Sequence, residues 1–431
     1  MAQQHGKTGK HRDCGSVGRY RTQSASDFRR TSEHYHAHAS YRRGGHAVSS
    51  PKAAGTSGGP AQSARRRTVA TRREHAGKRP LVIALAAVVV VVAVVVIASA
   101  VHGSSLIEGS AWTTPAAPLE DGRIVMQVNG DEDTYVRQGE DYIESGARAY
   151  DKKEGFLTDD IKTSGTVDTS TTGDYDVVYT VRNSENMESS ITRTVHVVDD
   201  MDVDDDGISV LMYHYVYDEG KPPEKMDANY ISNTKLEAEL KWLSDNGYYY
   251  PSFAELRAYL EGTHSLPKKS AVLTFDDGEQ GFLDYGTPLL NKYHVPATSY
   301  IIGSDPNFTE KVSTYMSEYV SFQSHTYDLH RDGNTDKGKG GKIWDLGQAS
   351  LEQDCNQAIA QLHDAQSLAY PYGDCPDFAP AALEDCGYLC AFTVQNDQVR
   401  KGDNPYKLPR VRMFGSSALE GFEYQVQHGI D

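Results

Sequence analysis

The stretch AVLTFDDG, residues Ala271–Gly278, places two adjacent carboxylates directly after a run of apolar residues. A short apolar run that ends in a turn signal is typical of a buried strand, and two neighbouring acids cannot both face an apolar core. Asp276 and Asp277 are therefore predicted at the carboxyl end of a strand. Because Asp-Asp-Gly is also a common turn, this stretch alone leaves a structural and a catalytic interpretation open.

Strand-like and helix-like patterns alternate along the chain from residue 208 onward. Ser252 and Glu255 have the spacing of a capping box, which predicts a helix start, and a leucine stripe that ends at Gly247 predicts another helix. The runs typical of strands are Ile208–Val216, Ala271–Phe275, Val295–Ile302, Tyr319–Phe322, Leu368–Tyr370, Leu389–Val394 and Leu408–Met413. This alternation predicts an α/β domain over residues 208–431, with a parallel sheet or barrel.

Two more polar clusters follow predicted strands, at the edge where an α/β barrel gathers its active site. The first, SHTYDLH at Ser324–His330, holds two histidines five residues apart, whose imidazoles can converge on one metal if the chain between them turns. The second, AYPYG at Ala369–Gly373, is a strand that turns sharply and leaves backbone N–H groups available. Each cluster alone is weak evidence, since surface histidine pairs and such turns are frequent.

Together and in this order, LMYHYV at residues 211–216, TFDDG, SHTYDLH and the YPYG turn resemble the polysaccharide deacetylase family, carbohydrate esterase family 4. The resemblance covers residues 208–415. It implies a distorted (β/α) barrel as the catalytic domain and metal-dependent removal of acetyl groups from N-acetylated sugars. The resemblance thus predicts a hydrolase that acts on carbon–nitrogen bonds other than peptide bonds.

Carried over position by position, the resemblance implies a general base, Asp276, and three metal ligands, Asp277, His325 and His330. One carboxylate and two neutral imidazoles suit Zn²⁺, or another divalent metal, with an open position for water. Such a metal lowers the pKa of bound water to about 7 and polarises the acetamide carbonyl. The family pattern also implies that Pro371 and Tyr372 bind substrate, with the Tyr372 backbone N–H stabilising the oxyanion.

Three departures from the family pattern bear on these roles. The histidine spacing is one residue longer than usual, so the loop before His330 must absorb an insertion. Ala369 stands where the family has an arginine that pairs with the catalytic aspartate; Arg410 is the expected substitute, and an ordinary surface arginine is the alternative. The family's late Leu-His motif is not evident, so His214 and His428 are the candidates for the general acid, and His214 is preferred because it also follows a strand.

The segment Leu81–Val101, LVIALAAVVVVVAVVVIASAV, contains no charged residue and is long enough to span a bilayer as one helix. Residues 1–80 hold 17 basic and 4 acidic side chains, whereas residues 102–431 hold 26 basic and 56 acidic ones. The positive-inside rule then predicts a disordered arm, residues 1–80, in the cytoplasm and the rest of the chain outside the cell. A signal peptide or a buried soluble helix fits this segment less well.

Residues 123–200 have the sequence pattern of an all-β domain, with tyrosine or valine at every second position over residues 175–181. They resemble the bacterial Ig-like repeats that precede surface enzymes, which implies a spacer or wall-contact module without chemistry. A linker, residues 102–122, precedes this sandwich, and an acidic linker, residues 201–207, follows it. The acidic linker begins like an EF-hand loop but lacks the closing glutamate, so a calcium site is not expected.

Cysteine usage leaves several arrangements open. Cys14 lies in the predicted cytoplasmic arm, where thiols stay reduced. Four more cysteines lie in the part predicted outside, where disulfides persist: Cys355, Cys375, Cys386 and Cys390. They permit three full pairings, and a zinc site of four thiolates is a further option. Cys375, two residues after Gly373, is a candidate to brace the active-site turn through a disulfide.

These observations predict a single-pass, membrane-anchored, extracellular deacetylase of cell-wall or surface polysaccharide. Peptidoglycan N-acetylglucosamine is the first substrate hypothesis, and a secreted poly-N-acetylglucosamine is the second. The alternatives are an O-acetyl polysaccharide esterase, a wall-glycan-binding protein without turnover, and a non-haem iron oxygenase, since two histidines and a carboxylate also suit Fe(II). The expected partners are the glycan and the membrane; no nucleic acid is expected, and no protein partner follows from the sequence.

Overall fold

The computed structural model of the chain describes residues 123–203 and 205–429. The predicted cytoplasmic arm, the predicted membrane helix Leu81–Val101 and the linker 102–122 lie outside the described residues. Within the described ranges, no helix combines the length and the apolar character that a bilayer crossing requires. The Ig-like region and the α/β region belong to one compact unit.

The first described region is a sandwich of two small β-sheets. Its strands are β1 Ile124–Val128, β2 Asp133–Arg137, β3 Ala147–Asp151, β4 Gly155–Phe156, β5 Lys162–Ser164, β6 Gly173–Arg182 and β7 Glu188–Val198. One sheet has the order β1-β3-β4 and the other the order β2-β7-β6-β5. Val177, Tyr179 and Val181 of β6 are buried at alternate positions and join one apolar core with Val195 of β7. The alternation predicted for this strand is confirmed.

The second region alternates strands and helices. Its strands are β8 Ser209–Tyr213, β9 Tyr215–Tyr217, β10 Tyr230–Ser232, β11 Ala271–Phe275, β12 Ala297–Ile301, β13 Val320–Ser324, β14 Ser367–Ala369, β15 Cys390–Phe392 and β16 Val411–Arg412. Its α-helices are α1 Asn233–Asp245, α2 Phe253–Leu260, α3 Thr287–Tyr293, α4 Phe308–Tyr315, α5 Gln348–Leu362, α6 Ala379–Asp385 and α7 Leu419–His428. The predicted capping box of Ser252 and Glu255 is confirmed at the start of α2.

Seven of these strands form one parallel sheet in the order β15-β14-β13-β12-β11-β8-β16. The strand β16 lies at one edge of this sheet, where Val411 pairs with Leu211 of β8. Leu408, just before β16, forms a bridge to Phe392 of β15 at the opposite edge. The segment Leu408–Arg412 therefore joins the two edges of the sheet, and the sheet curves into a distorted α/β barrel. Since all strands run parallel, their carboxyl ends meet at one rim.

Two strand boundaries differ from those predicted. The run Ile208–Val216 is interrupted at His214, after which β9 leaves the main sheet and pairs in parallel with β10. The run Tyr319–Phe322 continues as β13 to Ser324, because Ser324 still pairs with Ile301 of β12. Both differences arise at the carboxyl rim, where pairing with neighbouring strands decides where a strand ends.

Polar contacts join the Ig-like sandwich to the α/β region. The Ser145 hydroxyl lies 2.7 Å from the Ser252 hydroxyl at the start of α2. The Arg148 guanidinium of β3 forms an ion pair with Asp364, and the Gln323 amide of β13 donates to the same carboxylate at 2.8 Å. Because Arg148 and Asp364 are both largely buried, the sandwich is held against the barrel by more than its covalent link.

The cysteines among the described residues are free thiols, so the predicted disulfide of Cys375 is wrong. The Cys375 sulfur lies 3.9 Å from the carbonyl oxygen of Tyr406 rather than against another sulfur. The option of a four-thiolate zinc site is also wrong within the described ranges. The one group of at least three potential ligands found there contains no cysteine.

Candidate active site

Three potential metal ligands converge at the carboxyl rim of the barrel. Asp277 follows β11, whereas His325 and His330 belong to the loop after β13. The Asp277 Oδ1 atom lies 3.2 Å from Nε2 of His325 and 3.2 Å from Nε2 of His330, and the three ligand atoms all lie within 4.8 Å of one another. The structure thus brings together the residues predicted as ligands. Two imidazoles and a carboxylate on one side of a concave rim fit a tetrahedral divalent metal with an open position.

The loop between the two histidines is held by a carboxylate on α5. Asp354 accepts hydrogen bonds from the backbone N–H groups of Tyr327 at 2.8 Å and Asp328 at 2.9 Å. Thr326 adopts a left-handed backbone conformation, φ 67°, and its hydroxyl accepts the N–H of Leu329 at 3.2 Å. This tight turn absorbs the extra residue of the histidine spacing, so both imidazoles still reach the same carboxylate.

A backbone carbonyl fixes the orientation of one ligand. His325 is buried, and its Nδ1 lies 2.7 Å from the carbonyl oxygen of Ala369, the last residue of β14. Since a carbonyl can only accept, Nδ1 donates the hydrogen bond, and Nε2 is the ring atom that faces Asp277 and is available to a metal. A hydrogen bond of this kind sets the tautomer that a metal requires and holds the ring in place.

The second carboxylate of the motif, Asp276, forms a buried ion pair with Arg410. The Arg410 Nη1 and Nη2 atoms donate to Asp276 Oδ1 and Oδ2, each at 2.7 Å. The guanidinium also donates to the Thr274 hydroxyl at 3.1 Å and to the Thr393 carbonyl at 3.0 Å. Arg410 is 0% exposed, so the alternative of an ordinary surface arginine is wrong.

The ion pair governs the charge of Asp276. Burial opposes ionisation of this carboxyl, but the Arg410 charge and its hydrogen bonds outweigh burial and lower the pKa of Asp276 below its usual value. Each carboxylate oxygen has two lone pairs, and Arg410 uses one on each. Asp276 is therefore an ionised carboxylate that retains acceptor capacity beside the three converging ligands.

The structure separates the two histidines considered as general acid. His214 lies at the end of β8, and its Nε2 is 3.8 Å from Asp276 Oδ2. Burial lowers the pKa of His214 below its usual value, although the nearby carboxylates oppose that shift. His428 instead lies near the end of α7, where its ring stacks on Tyr424 with 4.6 Å between ring centres and its Nδ1 faces the Tyr424 carbonyl. Of these two candidates, His214 is the one that lies next to Asp276.

The turn predicted to bind substrate also borders the ligands. Tyr372 has a left-handed backbone, φ 61°, and its ring packs on that of His330 with 4.7 Å between ring centres. Gly373 follows with φ 77°, and a Cβ at this position would come within 2.4 Å of the Val394 side chain. Pro371, the first residue of the turn, is buried. The turn therefore has a shape that only glycine allows at 373, and it holds the Tyr372 ring over a ligand.

Three residues of the site were not predicted from the sequence. Asp354 supports the histidine loop, Tyr215 donates from its hydroxyl to Asp277 Oδ2 at 3.1 Å, and Tyr230 packs on Tyr215 with 4.8 Å between ring centres. Asp354 shares the buried face of α5 with Leu351 and Cys355, and an acidic residue at such an apolar spacing is a signal that could have indicated it. The positions of Tyr215 and Tyr230 depend on the pairing of β9 with β10, and no local sequence pattern predicts that pairing.

The site combines three potential metal ligands with a second carboxylate that Arg410 keeps ionised, at the carboxyl rim of a parallel barrel. This combination is typical of metal-assisted hydrolases built on α/β barrels. Comparison with known families specifies the class. Residues 263–391 match the polysaccharide deacetylase family, and residues 126–197 match the Ig-like domain of bacterial surface proteins. The domain that holds the site belongs to the polysaccharide deacetylase family, and it is a hydrolytic deacetylase preceded by an Ig-like domain.

Relatives with assigned activities align with this domain. A poly-β-1,6-N-acetyl-D-glucosamine N-deacetylase of Staphylococcus aureus strain NCTC 8325 is 27% identical over 197 residues, which cover 42% of this chain and 67% of that protein. The enzyme of the same name from Staphylococcus epidermidis has the same identity and coverage. A solved Streptococcus pyogenes deacetylase in complex with acetate is 22% identical with a TM-score of 0.43, covering 51% of this chain and 98% of the other.

Proposed function

We propose that this chain is a metal-dependent N-deacetylase of an exported polymer of N-acetylglucosamine. The observation that carries the proposal is the convergence of Asp277, His325 and His330 next to an ionised Asp276 in a polysaccharide deacetylase domain. Poly-β-1,6-N-acetylglucosamine is the favoured substrate, because the staphylococcal relatives are named for it. Peptidoglycan, the first hypothesis from the sequence, becomes the second.

The proposed metal is Zn²⁺, held by Asp277, His325 and His330. When bound, it supplies Lewis acidity, which activates water and polarises the acetamide carbonyl. The donor set supports zinc, since nitrogen and carboxylate ligands at an open tetrahedral site suit this ion. His325 is oriented by the Ala369 carbonyl, and Asp277 is oriented by the Tyr215 hydroxyl.

The proposed general base is Asp276. Arg410 keeps its carboxylate ionised and fixes its plane, so a free lone pair accepts the proton of the attacking water. His214 is the proposed general acid, because its Nε2 lies 3.8 Å from Asp276 Oδ2. Since burial lowers the pKa of His214, it would take up a proton during turnover and pass it to the leaving amine. The backbone N–H of Tyr372 is the proposed donor to the oxyanion.

Aromatic rings beside the site support a carbohydrate substrate. Tyr215, Tyr217 and Tyr230 form a partly exposed group on the β9–β10 ribbon, with the Tyr215 hydroxyl on Asp277. Tyrosine rings present a flat apolar face with a polar edge, which suits the C–H face and the hydroxyls of a pyranose ring. We propose that this ribbon holds a sugar next to the one being deacetylated.

The proposed location of the enzyme is the outer face of the cell membrane. This proposal rests on the apolar segment Leu81–Val101 and the basic residues before it, which lie outside the described residues. Protease added to intact cells is expected to remove the catalytic domain and to leave a membrane-bound fragment that contains the N-terminus. A catalytic domain that stays protected in intact cells, yet is cleaved after lysis, contradicts this orientation.

The decisive test is acetate release by the purified full-length chain. The substrates are oligomers of β-1,6-N-acetylglucosamine, peptidoglycan fragments and an O-acetylated glycan, each with and without a chelator and added Zn²⁺. Chelator-sensitive release from the β-1,6 oligomers at the highest rate supports the proposal. Release from the O-acetyl substrate alone indicates an esterase instead, and bound metal without any release indicates a glycan-binding protein. The Asp276→Asn variant is the matched control for acetate released by a contaminating enzyme.

A further inference from the structure

The Ig-like sandwich contacts the loop between α5 and β14, residues 363–366, at two points. The Arg148 guanidinium of β3 forms an ion pair with Asp364 of this loop, and both side chains are largely buried. The Phe156 ring of β4 packs on the ring of His363, with 5.6 Å between ring centres. Because a buried, hydrogen-bonded ion pair constrains both of its members, the sandwich fixes where the Asp364 carboxylate lies.

The Asp364 carboxylate also binds the two strands that lie next to this loop. Its Oδ2 accepts a hydrogen bond from the Gln323 amide of β13 at 2.8 Å, and its Oδ1 accepts the backbone N–H of Gln366 at 3.1 Å. Gln323 is fully buried, and its Oε1 accepts the backbone N–H of Ser367, the first residue of β14, at 3.0 Å. Asp364 therefore connects the sandwich to β13 and, through the Gln323 side chain, to the start of β14.

Side chains of β13 hold β14 in place on both sides of a short backbone pairing. Among the described residues, the two strands pair at one register position, Ser324 with Leu368. The Gln323 bond lies one residue before this position, and the contact of His325 with the Ala369 carbonyl, 2.7 Å long, lies one residue after it. Because the backbone pairing is so short, the Gln323 bond helps to fix that carbonyl, and the carbonyl in turn orients the His325 imidazole.

We propose that Arg148 of the Ig-like sandwich is a positioning residue for the metal site, acting through Asp364 and Gln323 on the orientation of His325. This inference rests on the proposed function, in which His325 is a metal ligand. It gives the sandwich a role beyond the spacer that the sequence predicted. Without Arg148, the Asp364 carboxylate turns towards solvent and Gln323 loses its acceptor. The His325 ring then samples orientations that do not suit a metal.

Another contact between the sandwich and the barrel provides a matched control. The Glu140 carboxylate accepts hydrogen bonds from the Ser265 hydroxyl at 2.7 Å and from the Ser265 backbone N–H at 3.1 Å. Ser265 lies between α2 and β11, and β12 separates β11 from β13 in the sheet. Glu140→Ala therefore removes a polar contact of the same sandwich and leaves the Asp364 carboxylate and its partners in place.

The test compares Arg148→Met with Glu140→Ala in the full-length chain. Competition with a chromogenic chelator should show zinc affinity about fivefold weaker in Arg148→Met, a smaller loss than removal of a direct orienting partner causes. Zinc affinity should be unchanged in Glu140→Ala, and Arg148→Lys, which keeps the charge but not the planar fork, should lie between the parent and Arg148→Met. In the metal-free proteins, hydrogen exchange over residues 366–370 should be faster in Arg148→Met only, since the Ser367 N–H loses its fixed acceptor.

A second variant keeps the proposal testable if Arg148→Met does not fold. Asp364→Asn should weaken zinc binding in the same way, and the double variant should lose no more affinity than either single one, because both act through one contact. Zinc affinity equal to that of the parent in Arg148→Met, or an equal loss in Glu140→Ala, overturns the proposal.

The two readouts also separate this inference from the proposed function. A parent protein that binds zinc but releases no acetate contradicts the proposed function, and the affinity comparison still decides the role of Arg148. If the parent binds no zinc, the proposed function fails, and hydrogen exchange over residues 366–370 decides instead. Equal exchange in the parent and Arg148→Met would show that Arg148 does not hold β14.

Discussion

Arg410 donates two parallel hydrogen bonds to Asp276, each 2.7 Å long, across a separation of 134 residues in the chain. Asp276 follows β11 near the middle of the sheet, whereas Arg410 lies in the segment that joins the two edges of the sheet. The pair therefore forms only when the barrel is complete. Because neither side chain is appreciably exposed, each charge depends on the other for its solvation.

Removal of Arg410 should strongly reduce turnover without removing the metal site. In Arg410→Ala, we expect kcat to fall at least about 100-fold, because Asp276 loses both its charge partner and its fixed orientation. Unfolding should also require about 3–5 kcal/mol less, since a buried carboxylate is left unpaired. Steady-state kinetics, zinc titration and denaturant unfolding measure the three quantities.

Two variants control for a general loss of structure. Arg410→Lys keeps the charge but not the planar fork, so it should recover part of the stability and less of the activity. Arg257→Ala removes a partly exposed arginine from α2 and should leave kcat unchanged. Near-normal turnover in Arg410→Ala would show that Asp276 needs no cationic partner.

The two adjacent aspartates should separate metal binding from proton transfer. Asp277→Ala is expected to lose zinc and activity together, because one of three ligands disappears. Asp276→Asn should keep zinc and lose about 10³-fold in kcat, because an amide cannot accept the proton. Metal content after gel filtration and acetate release are the measurements. Activity retained in Asp276→Asn would remove Asp276 as the base.

Asp354 should influence metal affinity although it is not a ligand. Replacement by Asn puts an NH₂ group where a carboxylate oxygen accepts a backbone N–H, so the loop between His325 and His330 loses one of its two anchors. We expect zinc affinity to fall about tenfold, in the range typical of residues that orient ligands. Competition with a chromogenic chelator measures it. Glu352→Gln, on the same helix, is the control. An equal loss of zinc affinity in that variant would mean that the effect comes from a general disturbance of α5 and not from the Asp354 hydrogen bonds.

Tyr230 should matter for long substrates only. In Tyr230→Ala, KM for the glycan oligomer is expected to rise about fivefold, whereas turnover of a small acetylated chromogenic substrate stays the same, because the ring meets a neighbouring sugar. Tyr230→Phe keeps the ring and should behave like the parent protein. Equal effects of Tyr230→Ala on both substrates would assign the ring a structural role.

Glu239 should make stability depend on pH. Burial raises the pKa of Glu239 to about 8, although the hydrogen bond from the Tyr213 hydroxyl opposes this shift. The folded state therefore holds a proton that the unfolded state releases above its ordinary value of 4.5. The stabilisation is complete below pH 4.5 and is lost as the pH rises through 8.

The corresponding variant is Glu239→Gln, which stays neutral at every pH. Between pH 5 and pH 8 the parent protein should lose about 3 kcal/mol of unfolding free energy that Glu239→Gln does not lose. Urea unfolding at several pH values measures both profiles. Glu237→Gln, on the same helix α1 but partly exposed, is the control. Parallel pH profiles for the parent and Glu239→Gln would mean that Glu239 is ionised when folded.

Much of the fold and of the candidate site could be predicted from local sequence patterns. The capping box at Ser252 and the alternation over residues 175–181 involve neighbours in the chain, so the sequence predicts them directly. The three ligands were found because each follows a strand, and parallel strands deliver their ends to one rim. Their catalytic roles remain predictions.

The contacts that were missed are those made between distant segments. The Tyr215 hydroxyl reaches Asp277 because β9 leaves the main sheet, and nothing near residue 215 indicates that departure. The disulfide predicted for Cys375 was wrong because closeness to an active-site turn in sequence does not bring a second sulfur near. Arg410 could be named as a candidate, but only the closure of the barrel decides between a buried partner and a surface side chain.

The closing segment Leu408–Arg412 has a consequence for the order in which the enzyme matures. All three potential metal ligands precede Arg410 along the chain, so they leave the ribosome before it does. A partly synthesised chain would already contain the three ligand residues. Asp276 would still lack its cationic partner, Arg410, and the barrel would still lack its last strand, β16. Hydrolysis would then begin only once the segment that carries Arg410 is in place, so a chain that is still being completed would not yet turn over substrate.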